Sequence, residues 1–135
     1  MPFYHALVRP GLLTEEQRQR FAVQVVDVHC DVTGAPPSFV HALITEDDED
    51  RLDGQAAQIN GTIRAGRTDA QKAEIADRLS RAMADVAGVE PASVRTSTRD
   101  IQASYTMEGG ALLPEPGSPE EQEWRDGPPA AAGAR

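Results

Sequence analysis

Four groups of side chains in this sequence have types and spacings that could do chemistry. Pro2 is the first. A methionine before a small residue is ordinarily excised, which would leave Pro2 as the amino terminus and its nitrogen as a secondary amine. A free α-amino group titrates at about 8. Nearby cations or burial lower that value and put a base close to working pH. The ordinary alternative is a proline that opens an edge strand. Arg64 and Arg67 are the second group, in the run Thr62-Ile63-Arg64-Ala65-Gly66-Arg67-Thr68. This run ends a strand and starts a helix, so two guanidinium forks meet where helix amides also point outward. Such a place suits a carboxylate; the alternative is two solvated arginines at a turn.

His29 is the third candidate, beside Cys30. Its position predicts a side chain turned inward toward a sheet, where a histidine can serve a site or simply bond a backbone carbonyl. Cys30 reads as packing rather than as a nucleophile. The fourth group is Tyr105 with the acids Glu120 and Glu121. Tyr105 could donate a hydrogen bond and either glutamate could activate water, although acids in an acidic tail are commonly solvated charge. His5 and His41 have no recognisable metal spacing and receive no role.

The elements that must hold these groups follow from an internal repeat at an offset of 54 residues. Thr14, Gln17, Gly34, Pro37 and Val40 recur as Thr68, Gln71, Gly88, Pro91 and Val94. Thr-x-x-Gln is a capping box that satisfies free amides at a helix start. Gly34 and Gly88 are left-handed stops, and the prolines three residues later block continuation. Between the caps the apolar stripes are Phe21, Val25, Val28, Val32 and Ile75, Leu79, Ala82, Val86, at helical spacing. Each helix has about 20 residues and spans about 30 Å. The offset sets His29 opposite Met83, beside the second stripe, and Cys30 opposite Ala84.

β-like runs flank both helices, from Pro2 to Val8, Phe39 to Thr45, Ala56 to Arg64 and Val94 to Thr98. Two β-α-β units result, with parallel pairing inside each. The expected fold is α/β (α+β): one four-stranded sheet with both helices on one face, and a C-terminal arm. The expected domain spans 1–125, with repeats at about 2–45 and 56–98 and an arm at 101–125. Residues 126–135, rich in Pro, Gly and Ala, are expected to be disordered. Glu46 to Asp53 reads as a solvated acidic connection. Trp124 reads as an anchor for the arm.

Composition limits the partners. The chain has 135 residues and a formal charge of -9, which argues against nucleic acid. No apolar run approaches the roughly 18 residues of a membrane helix. No charged-then-apolar leader opens the chain, and a single cysteine fits a reducing, cytoplasmic setting. Twelve of the thirteen basic residues are Arg, which a genome-wide codon preference explains for most of them. Hydrophobic residues are 39%, twenty of them Ala, and aromatics 4%, so the core of a lone subunit is thin. The sheet face without helices needs a cover, which predicts an oligomer.

Together, the Met-Pro start, the two fused β-α-β units and the Arg pair resemble the tautomerase superfamily. More narrowly, the chain looks like the cis-3-chloroacrylic acid dehalogenase group. That likeness rests on Asp27-Val28-His29, on Thr62 to Gln71 and on Leu112-Leu113-Pro114-Glu115-Pro116-Gly117. It implies that Pro2 is the catalytic proline and that His29, Arg64 and Arg67 hold a small carboxylate substrate. It also implies a homotrimer, and no cofactor or metal is needed. In the dehalogenases a Tyr and a Glu activate water. Here the tyrosine position falls on Gly109, with Tyr105 four residues earlier, and the glutamate falls on Glu120 or Glu121. Proton transfer between enol and keto forms needs only Pro2 and the anion clamp. The expected activity is therefore a tautomerase on small 2-oxo or enol carboxylates. The alternatives are a hydratase or dehalogenase of cis-3-substituted acrylates, and a non-catalytic trimeric binding protein of the same fold.

Overall fold

The computed structural model describes residues 1–126. A four-stranded sheet has the order β2-β1-β3-β4, from β1 (Phe3–Val8), β2 (His41–Glu46), β3 (Ala57–Arg64) and β4 (Val94–Ile101). Pairing is parallel within each repeat, β1 with β2 and β3 with β4, and antiparallel where β1 meets β3. The long helices α1 (Glu15–Thr33) and α3 (Asp69–Ala87) cover one face. Residues alternate accordingly: Tyr4, Ala6 and Val8 of β1 and Ala57, Ile59 and Ile63 of β3 are buried beneath them. The opposite face is open, with Phe3 42% and Leu43 44% exposed.

The caps are formed as the sequence predicts. The Thr14 and Thr68 hydroxyls accept from the Gln17 and Gln71 amides, and each Gln side-chain oxygen accepts from the Thr backbone N–H. Gly34 and Gly88 close the helices in the left-handed region. The cap glutamines also do something the motif does not announce. Gln17 Nε2 donates to Val86 O at 3.0 Å, and Gln71 Nε2 donates to Val32 O at 3.3 Å. The start of each helix thus satisfies a last-turn carbonyl of the other, locking two antiparallel helices by a reciprocal pair of bonds.

Three boundaries differ from expectation. Pro37–Phe39 is a 3-10 turn, because proline favours a helical start, so β2 begins at His41 and runs to Glu46. The acidic segment is not wholly a loop. Asp48 caps a helical turn, α2 (Glu49–Leu52), that buries Leu52. β4 continues past Thr98 to Ile101, pairing Ile101 with Arg64. The arm then makes a 3-10 turn (Ala103–Tyr105), a hairpin of β5 (Met107–Glu108) and β6 (Ala111–Leu112), and a helix α4 (Pro119–Asp126). Of the tail expected to be disordered, Asp126 closes α4 and 127–135 lie outside the described residues. Among the described residues no helix is long and apolar enough to cross a membrane.

Candidate active site

The antiparallel β1–β3 pairing gathers the candidates at one end of the sheet. Phe3 lies opposite Thr62, so β1 begins where β3 finishes at Ile63 and Arg64. Pro2 is buried at that end, leading into an interior strand, and its carbonyl accepts from His41 N–H at 3.0 Å. Beyond β3 the chain turns through Ala65 and Gly66 to the Thr68 cap, which sets Arg67 at the mouth of α3. The last turns of α1 lie beneath the same end and carry His29.

His29 is 2% exposed, and its Nδ1 is 2.7 Å from the Tyr4 hydroxyl. Burial, helped by the charges of Arg67 and the amino terminus, pushes its pKa down to about 4. The imidazole is therefore neutral near pH 7. Burial raises the Tyr4 phenol well above its ordinary value, against the opposing pull of Arg67. The amine at the chain start belongs to Met1 and is bonded to Glu108 of the β5–β6 hairpin.

The two arginines have different environments, and neither is a solvated turn residue. Arg64 is 5% exposed and is bonded within the chain. It donates to Pro114 O at 2.8 Å and to Glu121 Oε1 at 2.6 Å, and its guanidinium lies 5.0 Å from the centroid of the Trp124 ring. Trp124 in turn packs on Phe39 at 4.1 Å, so it anchors the arm as its isolation in the sequence predicts. Arg67 is half-buried and, among the described residues, makes no hydrogen bond or ion pair. Burial and the like charge of Arg64 lower its pKa, yet a guanidinium stays protonated. Glu121 acts on Arg67 from a distance but forms no ion pair with it, so a half-buried cation whose charge also reaches the neutral imidazole is left to receive an anion.

Of Glu121, Glu120 and Tyr105, the one hydrogen-bonded to Arg64 is Glu121. Glu121 accepts from Arg64, from Arg125 at 3.3 Å and from the Gly117 amide at 2.6 Å. Burial alone would raise its pKa. The Gly117 amide and Arg64 outweigh that and hold the carboxyl at about 2. Glu120 is exposed at the start of α4. Tyr105 is 75% exposed on the 3-10 turn. Gly109, where the resemblance leads us to expect the tyrosine position, is a hairpin-turn residue with φ 59, followed by Gly110 with φ 83. A two-residue turn with both φ positive is the type I′ turn, which favours Gly or Asn and disfavours an aromatic.

Neither a protein-family model nor a curated protein matches the chain. Solved structures do. A member of the cis-3-chloroacrylic acid dehalogenase family superposes with a TM-score of 0.82 and 30% identity, over 94% of this chain and 92% of that one. The chain belongs to this family, within the tautomerase superfamily. A fused 4-OT in an asymmetric trimer has a TM-score of 0.72 and 26% identity, over 82% and 94%. The macrophage migration inhibitory factor of Toxoplasma gondii shares the fold, with a TM-score of 0.74 at 20% identity over 82% and 99%.

Two of the three stretches behind the expected likeness, Thr62 to Gln71 and Leu112 to Gly117, touch one another. Arg64 binds Pro114, and Pro116 packs on Gly66 so closely that a Cβ there would lie 3.0 Å from its ring. Sequence reasoning passed over Tyr4, Glu108 and Arg125. A signal for Tyr4 was present: it shares the inward register of Ala6 and Val8, where a hydroxyl needs a partner, and His29 faces it from the helix.

Proposed function

We propose that the chain is a cofactor-independent tautomerase of small 2-oxo or enol carboxylates, with Pro2 as general base. Excision of Met1 frees the Pro2 amine, which takes the enol proton and returns it at carbon. Arg67 binds the substrate carboxylate directly. Arg64 holds the arm against the same turn and adds its charge. His29 supplies a neutral polar contact. The positive field of the two arginines stabilises the charge that develops on the enolate.

The observation that carries this reading is the state of Glu121. Adding water to an acrylate needs a carboxylate free to accept a proton. Glu121 is bonded by two arginines and an amide and held at about 2, which makes it a weak base. Tyr105 is 75% exposed and is not among the hydrogen-bond partners of Glu121. Enol–keto proton transfer uses neither group.

The second reading is a hydratase or dehalogenase of cis-3-substituted acrylates, with Pro2 cationic as acid and Glu121 or Glu120 on the water. It is favoured by the relative at 30% identity, named for the cis-3-chloroacrylic acid dehalogenase family. The chain assembles as a homotrimer in either reading. The open sheet face supports this, as do solved relatives that are themselves trimers.

Intact mass of the protein made in cells comes first, and loss of Met1 is expected. Retention would leave the Pro2 nitrogen in an amide and favour a binding protein of this fold. Ketonisation of phenylenolpyruvate is then followed by absorbance, beside halide release from cis-3-chloroacrylate. The tautomerase reading expects the first activity, lowered about a hundred-fold or more in Pro2→Ala. An unchanged rate in that variant removes the mechanism, and dominant halide release transfers the case to the second reading.

A further inference from the structure

We propose that Tyr4 is a positioning residue that fixes His29 as the Nε2–H tautomer, so that His29 meets the substrate as a neutral hydrogen-bond donor. The proposal deepens the reading above and rests on it for the identity of the ligand, a small carboxylate. The argument begins with the single bond between two buried groups, Tyr4 Oη and His29 Nδ1 at 2.7 Å. A phenol has one hydrogen to donate, and a neutral imidazole has one donor and one acceptor nitrogen. Two assignments are available. If Nδ1–H donates to the phenol oxygen, the Tyr4 hydrogen is left without a partner among the described residues, at a side chain 1% exposed. An unmade bond from a buried donor is the more expensive outcome. If Tyr4 donates to Nδ1, the phenol hydrogen has its partner, the imidazole proton must sit on Nε2, and the one donor left open is that Nε2–H.

The environment points the same way. Both groups are neutral near pH 7, because burial lowers the imidazole and raises the phenol. Nε2 has no hydrogen-bond partner among the described residues. It is the nitrogen left for a ligand, and Arg67 is close enough to act electrostatically on both members of the pair. A cationic Arg67 and a neutral N–H donor together bind one anion without adding a second buried charge.

The backbone is built to hold the ring in place. Tyr4 lies opposite Gly61 on β3, and a Cβ at Gly61 would stand 2.5 Å from the ring carbon Cε1. The ring therefore rests on a glycine that leaves it room. Tyr4→Phe keeps this packing and removes only the hydroxyl, whereas Gly61→Ala keeps the hydroxyl and pushes the ring away.

The test is 15N NMR of histidine-labelled full-length protein at neutral pH, with the His29 signals assigned by their loss in His29→Gln. A bare Nδ1 and a protonated Nε2 are expected. Tyr4→Phe and Gly61→Ala should each raise the Nδ1–H population. Each should also lower kcat/KM for phenylenolpyruvate about ten-fold. A protonated Nδ1 in the parent protein, or a tautomer ratio unmoved by Tyr4→Phe, overturns the proposal. The spectra need no turnover. If the parent protein lacks ketonisation altogether, the tautomerase reading falls while the assignment of Tyr4 is still decided.

Discussion

Arg64 and Arg67 are three residues apart and share a charge, yet their surroundings separate their uses. Arg64 holds Pro114, Glu121 and Trp124, whereas Arg67 holds nothing in the described chain. Arg67→Ala should therefore raise KM for an enol carboxylate about ten-fold or more and leave the melting temperature nearly unchanged. Arg64→Ala should lower the melting temperature as well, because it removes the buried guanidinium that ties Glu121, Pro114 and Trp124 together. Steady-state kinetics beside thermal melts separates the two. His29 makes a second prediction, in pH. Its folded pKa of about 4 lies below the ordinary 6.5. The unfolded chain takes up a proton as pH falls below about 6.5, and the native state declines it until about 4. Stability from this group is whole above pH 6.5 and falls across that window, at up to about 1.4 kcal/mol per pH unit. Urea midpoints at pH 7 and pH 5 should show the drop, and His29→Gln should flatten it.

The helices owe their mutual fit to the two cap glutamines. A glutamate would complete the capping box equally well, but only an amide can also donate to the opposite helix, as Gln17 does to Val86 O and Gln71 to Val32 O. Gln17→Glu and Gln71→Glu should each cost about 1 kcal/mol, because a carboxylate replaces a donor beside a carbonyl end that repels it. Chemical denaturation measures this directly. The repeat made these helices readable, since Thr14, Gln17, Gly34 and Pro37 have local meanings that recur in order. The partners of those glutamines were not readable, because a bond across 69 residues depends on how two helices lie together. The same distinction runs through the site. Arg64 and Arg67 stood out because their turn is local, and His29 because the repeat gave its face. Tyr4 and Glu108 did not, because each acquires its role from a residue far away in the chain. The tight turn at Gly109 and Gly110 was not readable either, because it rests on positive φ values that the sequence does not print.

At the scale of the whole molecule the open sheet face should govern assembly. Leu43 sits on it, opposite His5 and away from the helices. Leu43→Glu should shift the protein from an oligomer toward monomer, as read by sedimentation velocity, with the fold intact by circular dichroism. A mass that is already monomeric in the parent protein would remove this prediction. The repeat bears on the molecule in a further way. Moving every residue by 54 carries Pro2 onto Ala56, His29 onto Met83, and Arg64 and Arg67 onto Pro10 and Leu13. The backbone is close to two-fold, but its second end is chemically blank. Ala56 is an interior residue whose N–H is given to Ser93 O, and Met83 and Leu13 are buried apolar side chains. Two identical half-length chains could not be arranged like this, because a change in one would be a change in both. Covalent linkage removes that constraint. It lets one end gather Pro2, His29, Arg64 and Arg67 while the other is filled by Ala56, Met83, Pro10 and Leu13, so a trimer of these chains would hold three such ends where six half-length chains would hold six.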